Sequence, residues 1–290
     1  MKFNFLVICV SIFALLSCNF SSEKIIDELS IIIISSDISI GENVINFAVL
    51  DINGNQINDD LNEIKLRNLE SENETIISAK YQNWFKGKGA YNSKIYINET
   101  GFHELIVTFN KYESRAIFNV NTKSITPAID KKPPNILTLT AKSETDLKNI
   151  TSDSNPDIDL YSTSYEESIN SNIPTIVLFS TPALCVSGTC GPILDSLKKI
   201  KKQYRDYNFI HVEVYKNFIG KTLRDLDSLE VTEPVIKWGL PTEPWMFFID
   251  KNGILRAKFE GFIFSLKTLI LLESFFRYSL SEFVFCKSFV

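Results

Sequence analysis

Apolar positions along the chain fall into three regimes. Near the start, Lys2 precedes an apolar run over residues 5–16 broken only by Ser11. The run is short for a bilayer span and reads as a signal-peptide core. From residue 28 to 121 the pattern becomes short alternating or β-branched segments at 29–34, 44–50, 63–69, 75–81, 93–98, 103–109 and 115–121. Turn residues such as Asp51, Asn53 and Gly54 separate them, which predicts about seven strands of an all-β sandwich. Residues 122–158 carry Lys131-Lys132-Pro133-Pro134 and a Ser/Asp/Asn/Pro stretch at 152–156, the composition of a stiff linker lying over a surface. A third regime follows over 159–276. A continuous apolar strand is predicted at 175–179, and Ile193, Leu197, Ile200 and Tyr204 recur at helical spacing opposite Lys198, Lys199, Lys201 and Lys202. An alternating strand at 208–215 carries Ile210, Val212 and Val214 on one side. A hairpin at 245–249 and 254–259 turns around Asp250-Lys251-Asn252-Gly253, and a last helix is predicted after Ser265.

Composition narrows the class. The chain has 290 residues, 44% of them hydrophobic, enough for two modest cores, and 11 Gly and 10 Pro exclude collagen and wholesale disorder. The 30 basic against 35 acidic residues leave a net charge of −5, with no basic surplus to drive phosphate binding, so no nucleic-acid partner is expected. The sandwich at 28–121 clusters no ionisable groups as a site would. Trp84, Tyr91, Tyr96 and His103 there read as structural. Its strand number and spacing predict an immunoglobulin-like sandwich.

Five cysteines are too few for a disulfide scaffold, so each is read for its own chemistry. Leu15-Leu16-Ser17-Cys18 resembles the bacterial lipobox. That resemblance implies a signal peptide at 1–17 carrying away Cys9, lipid (palmitate) on Cys18, and a tether over 18–27. The expected location is the cell envelope, extracytoplasmic and lipid-anchored to a membrane, where disulfides persist.

Cys185 and Cys190 sit between the predicted strand and helix, followed by Gly191-Pro192. Together with the element order and Pro244 ahead of Gly253, they resemble the thioredoxin-like superfamily in a C-x4-C variant. The segments around Ser154-Asn155-Pro156-Asp157, Thr181-Pro182-Ala183 and Trp238-Gly239-Leu240-Pro241 are similar to bacterial envelope proteins that pair a β-sandwich with such a domain. The expected fold class is therefore an α/β thioredoxin-like domain, 159–276, preceded by an immunoglobulin-like sandwich and followed by a tail, 277–290. The resemblance implies thiol–disulfide exchange with envelope protein thiols or disulfides, with no metal or organic cofactor. Cys185 would attack, Cys190 resolve, and a cis Pro244 flanked by Glu243 and Trp245 would dock the substrate. A thiolate at a helix N-terminus is stabilised by unpaired N–H groups, and a second thiol releases the partner.

The spacing departs from the usual C-x-x-C. Five positions on a regular helix rise roughly 7.5 Å, beyond the span of a disulfide, so either the loop holding Cys185 curls back at Gly188 or the first helical turn opens. Other readings stand beside exchange. One is a peroxiredoxin-like thiol peroxidase, although Thr181 stands four rather than three residues before Cys185. Another is a soft copper site of Cys185, Cys190 and His211, although His211 reads better as a strand-face residue. A third is a non-catalytic binding lipoprotein with a structural disulfide. Cys286, in the Phe-rich tail, has no assigned role.

Overall fold

The computed structural model describes residues 28–84 and 87–261; the expected signal peptide with Cys9, the lipidated Cys18, the tether, the helix after Ser265 and the tail with Cys286 lie outside the described residues. Eight strands come first: β1 (Leu29–Ile33), β2 (Gly41–Asp51), β3 (Glu63–Asn68), β4 (Glu74–Ile76), β5 (Lys80–Asn83), β6 (Gly89–Ile97), β7 (Gly101–Phe109) and β8 (Tyr112–Val120). They form two antiparallel sheets, ordered β1-β2-β6-β5 and β4-β3-β7-β8. Period-2 alternation explains the layering. Ile45, Phe47 and Val49 of β2 and Leu105, Val107 and Phe109 of β7 point into one shared core. Each such side chain contributes about 1.5–3 kcal/mol by leaving water. The apolar stretch at 75–81 is two strands rather than one, because the chain changes sheets there. β4 pairs with β3, β5 pairs with β6, and the residues between are tied by Ile77 N–H to Ile64 C=O (2.9 Å).

The segment after β8 contains helix α1 (Glu144–Ile150), capped by Ser143, and is more than a surface linker. Asp130 N–H and Leu255 C=O bond at 2.8 Å, Leu255 N–H and Lys131 C=O at 2.9 Å, and Ile136 is buried. Helix α2 (Tyr165–Ile169) follows, starting in a Ser164–Glu167 capping box. Next come β9 (Thr175–Phe179), helix α3 (Cys190–Lys201), β10 (Asn208–Val212), helix α4 (Glu233–Lys237), β11 (Trp245–Ile249) and β12 (Leu255–Glu260). The third sheet is ordered β10-β9-β11-β12, with β9 parallel to β10 and antiparallel to β11. Ile176 and Leu178 pack against Ile193, Leu194 and Leu197 of α3 on one face. Val177, Phe179 and Phe247 pack against Trp238 on the other.

This architecture corrects the fold class expected from the sequence, an α/β thioredoxin-like domain preceded by an immunoglobulin-like sandwich. The described chain is mostly β, three sheets of four strands with four short α-helices, and no α/β thioredoxin core is evident. The physical reason lies in what stops the helices. Between β10 and β11 the side chains of Asn217 and Asp225 bond local backbone instead of leaving it to a helix: Thr222 N–H donates to Asp225 (2.8 Å) and Glu230 N–H to Asn217 (2.8 Å). Helix α4 has Pro234 in its first turn and ends before Gly239, whose φ of +62° continues no right-handed helix. Helix α2 ends at Ile169, and the chain then turns left-handed at Asn172, ahead of Pro174. Among the described residues only α3 reaches 12 residues.

A polar knot joins the first two sheets to the third. Asp37, with its side chain wholly buried, accepts from Ser124 Oγ (2.5 Å), Ile125 N–H (2.9 Å), Thr126 N–H (3.2 Å), Thr126 Oγ1 (2.6 Å) and Lys258 Nζ of β12 (2.9 Å). Those donors outweigh burial and hold its carboxyl down at about 2, below the usual carboxylate range.

Candidate functional site

Cys185 and Cys190 form a disulfide with Cα atoms 5.9 Å apart. The span closes because only Cys190 belongs to α3. Cys185 lies in the preceding loop, which turns back through Leu184 N–H to Thr181 C=O (3.2 Å) and Gly188 N–H to Cys185 C=O (3.2 Å). Gly188 adopts a φ of +68°, a backbone conformation that a side chain would strain. The two sulfurs have different surroundings. Cys190 is fully buried among the residues that carry α3, whereas Cys185 is partly exposed beside the 77% exposed Val186. The first N–H of α3, that of Cys190, donates to Cys185 Sγ at 3.3 Å, and Ser187 Oγ lies 3.2 Å from the same sulfur. Negative charge developing on Cys185 therefore meets the first N–H of α3.

The segment before β11 faces the pair. The Glu243–Pro244 peptide bond is cis, and one Glu243 carboxylate oxygen and both sulfurs lie within 4.8 Å of one another. Glu243 Oε2 accepts a hydrogen bond from Thr181 N–H at 2.6 Å. Behind it sits Glu213, whose Oε2 accepts from Ser152 N–H at 2.6 Å. Glu213 Oε1 and Thr181 Oγ1 are buried without a hydrogen-bond partner. Burial first, with the neighbouring charge of Glu213 adding to it, pushes the Glu243 carboxyl up to about 7; burial does the same to Glu213. Two carboxyls poised near neutrality thus stand beside a disulfide. Compared with family models, with curated proteins and with solved structures, the chain matches none of them.

The remaining expected site residues separate clearly. Pro244 is buried, and its C=O accepts from Gly261 N–H (2.9 Å). Trp245 is only 3% exposed, stacked on Phe247, and its indole N–H goes to Thr242 Oγ1 (3.1 Å); its ring is no surface for a partner. His211 is fully engaged away from the cysteines. Its Nδ1 faces Tyr161 OH (2.6 Å), and its Nε2 faces Ser180 O (3.0 Å) and Ser180 Oγ (2.9 Å). A donor at Nε2 and an acceptor at Nδ1 satisfy this chain, and burial drives the imidazole down to about 4, so it is neutral. The thiol–carboxylate cluster does not include it. His103 bonds Gly101 C=O (3.1 Å) in the first unit, a structural role.

The sequence patterns gave no role to Glu213 and weighed Thr181 only for its distance from Cys185. The signal was present for Glu213: the alternation of β10, carried on past its end, sets it on the same side as His211, opposite Ile210, Val212 and Val214. A charged residue continuing a buried strand needs either a partner or a task. Thr181 contributes through its backbone N–H, which no side-chain pattern announces.

Proposed function

We propose that the chain is a thiol–disulfide oxidoreductase working through Cys185 and Cys190. The observation that carries this reading is the asymmetry of the pair: a cysteine in a partly exposed loop whose sulfur accepts the first N–H of α3, a wholly buried one, and the Glu243 carboxyl within 4.8 Å of both. In the reducing direction, the Cys185 thiolate attacks one sulfur of a partner's disulfide. The bond to Cys185 forms as the partner's S–S bond breaks, and one partner thiolate leaves. Cys190, shielded from water, gives its proton to the Glu243 carboxylate and attacks Cys185 sulfur. The internal disulfide forms, the mixed disulfide breaks, and the second partner thiolate leaves. The partner gains the two electrons that the pair loses, and the reverse sequence oxidises a partner dithiol. Glu243, with a pKa of about 7, can hold or return that proton near neutral pH.

Docking uses the segment that bears Glu243. Among the described residues, the backbone N–H and C=O groups of Thr242 and Glu243 carry no hydrogen bond, which leaves an edge on which an extended peptide can pair. The expected substrates are protein thiols or disulfides outside the cytoplasm. That location, like lipid attachment at Cys18, rests on the lipobox-like sequence alone. No helix among the described residues is long and apolar enough to cross a membrane.

Trapping tests the reading. Cys190→Ser should accumulate a mixed disulfide through Cys185 with its partner, identified by mass spectrometry, and Cys185→Ser should trap nothing. A wild-type pair that stays oxidised under all reductants, followed by differential alkylation, would sink the proposal. Glu243→Gln should slow the release of trapped partner by about tenfold or more while sparing the first attack.

A further inference from the structure

The cis-proline segment is held in place by the first unit as well as by the sheet that follows it. Thr242 Oγ1 is the crossing point. It accepts from Trp245 Nε1 (3.1 Å), donates to Glu260 Oε1 (2.5 Å), and lies 3.3 Å from Ser36 Oγ. Ser36 belongs to the connection between β1 and β2, and it closes the link by donating its N–H to Glu260 Oε2 (2.7 Å) and its Oγ to Glu260 Oε1 (2.6 Å). The adjoining Asp37 takes Lys258 from the same strand, so two residues of β12 reach the same short stretch of the first unit. Next to Glu260, Gly261 bonds Pro244 C=O through its N–H, and its Cα face looks onto Ile34 and Trp84 of the first unit. A Cβ placed at Gly261 would stand 3.8 Å from each of those side chains.

We infer that the first two-sheet unit is a working part of the docking site: through Ser36, Glu260 and Thr242 it positions the Glu243–Pro244–Trp245 segment, so that preference for a polypeptide partner is set at the junction of the units. The inference rests on the exchange reading above. Its physical basis is the cost of ordering. A peptide pairing with Thr242 and Glu243 must find that edge in one conformation, and the hydroxyl–carboxylate junction supplies the order before the partner arrives. A small disulfide reaching Cys185 from solvent has no use for the edge. Thr242 and Ser36 are thus positioning residues, touching neither sulfur. Trp245 acts in the same way, tying its buried ring to Thr242 rather than presenting it to a partner.

Two probes separate docking from chemistry in the reduced full-length chain: the disulfides of insulin for a polypeptide, and oxidised glutathione for a small molecule. Wild type should favour insulin. Thr242→Val and Ser36→Ala should each raise KM for insulin at least fivefold, and Ser36→Ala, which lies outside the edge itself, should do so with little change in kcat and a glutathione rate that moves less than twofold. Thr242→Ser, which keeps the hydroxyl, should restore the insulin KM. Equal slowing of both probes, slowing of neither, no rescue by Thr242→Ser, or a wild-type preference for glutathione would each overturn the positioning role while leaving exchange standing. A wild-type pair inert to both probes would overturn the exchange reading, and the inference with it.

Discussion

Asp37 and the pair Glu213 and Glu243 are all carboxylates taken out of water, yet they end in opposite states. Asp37 receives five hydrogen bonds, one from a lysine, and sits at about 2. Glu213 and Glu243 each receive one backbone N–H, stand near each other's charge, and sit at about 7. Burial is common to both places, so burial does not decide what a carboxylate does. The supply of donors does. A fully supplied carboxylate is locked as an anion and serves as a joint between units. An under-supplied one trades its proton near neutrality, which is what a thiol pair that must lose and regain protons requires.

The contrast breaks most visibly on removal of the joint. Asp37→Ala strips four protein donors and Lys258 of their acceptor and leaves a largely buried ammonium unpaired, and should cost about 3–5 kcal/mol in denaturant unfolding. Glu243→Gln keeps the Thr181 N–H bond and removes a reluctant charge, and should cost less than about 1 kcal/mol. Similar costs for the two would erase the distinction.

The pH dependence of stability sharpens it, and the signs differ by group. Glu213 moves from 4.5 when unfolded to about 7 when folded, so the native state binds the extra proton between those values. Its contribution is greatest below pH 4.5 and is lost as pH rises to about 7, by on the order of 3 kcal/mol as an upper figure. His211 runs the other way. Its folded value of about 4 against 6.5 unfolded makes its contribution complete above 6.5 and lost as pH falls toward 4. The two limbs overlap and offset each other between about 4.5 and 6.5. Glu243 adds a limb of the same sign as Glu213, so the double variant Glu213→Gln/Glu243→Gln should uncover the histidine limb, with stability falling as pH drops through that window. His211→Asn should uncover the glutamate limb, with stability falling as pH rises. Denaturant midpoints measured from pH 4 to 8 decide this, and two variants with the same slope would refute the assignment.

These pairs also mark how far the sequence was legible. Strands β2, β7, β9 and β11 follow from alternation or from a continuous apolar run, because each pattern is local and repeats over several residues. The cysteine pair and its helix were visible for the same reason. The fold class was not legible, since the extended segments and turns between β10 and β11 are set by individual Asn, Asp and Thr bonds and by Gly239 rather than by any periodicity. The sheet switch at 77–79 depends on which strand each half finds as a partner. Glu243 was singled out as a neighbour of Pro244, but its charge state arises from Thr181 and Glu213, and Asp37 meets Lys258 across 221 positions. No local reading reaches contacts of that separation.

The smallest expected effect tests whether donors, counted one at a time, set the state of a buried carboxylate. Thr126→Val keeps the backbone N–H to Asp37 and removes the 2.6 Å hydroxyl bond together with the acceptor that Thr126 Oγ1 offers Lys258 Nζ (2.7 Å), the shape staying nearly the same. The lost bond to a charged acceptor should cost about 1–2 kcal/mol at neutral pH. It should also act on the acid side. Asp37 contributes stability that is complete above its unfolded 3.8 and lost as pH falls toward the folded value of about 2. With one donor fewer, the folded value rises toward 3.8, so less of that contribution exists to be lost and the acid limb becomes shallower and ends at a higher pH. Denaturant unfolding from pH 2 to 5 reads both changes together. A neutral-pH loss with an unchanged acid limb would mean that the Thr126 hydroxyl merely packs the knot, and that the remaining donors hold Asp37 as an anion.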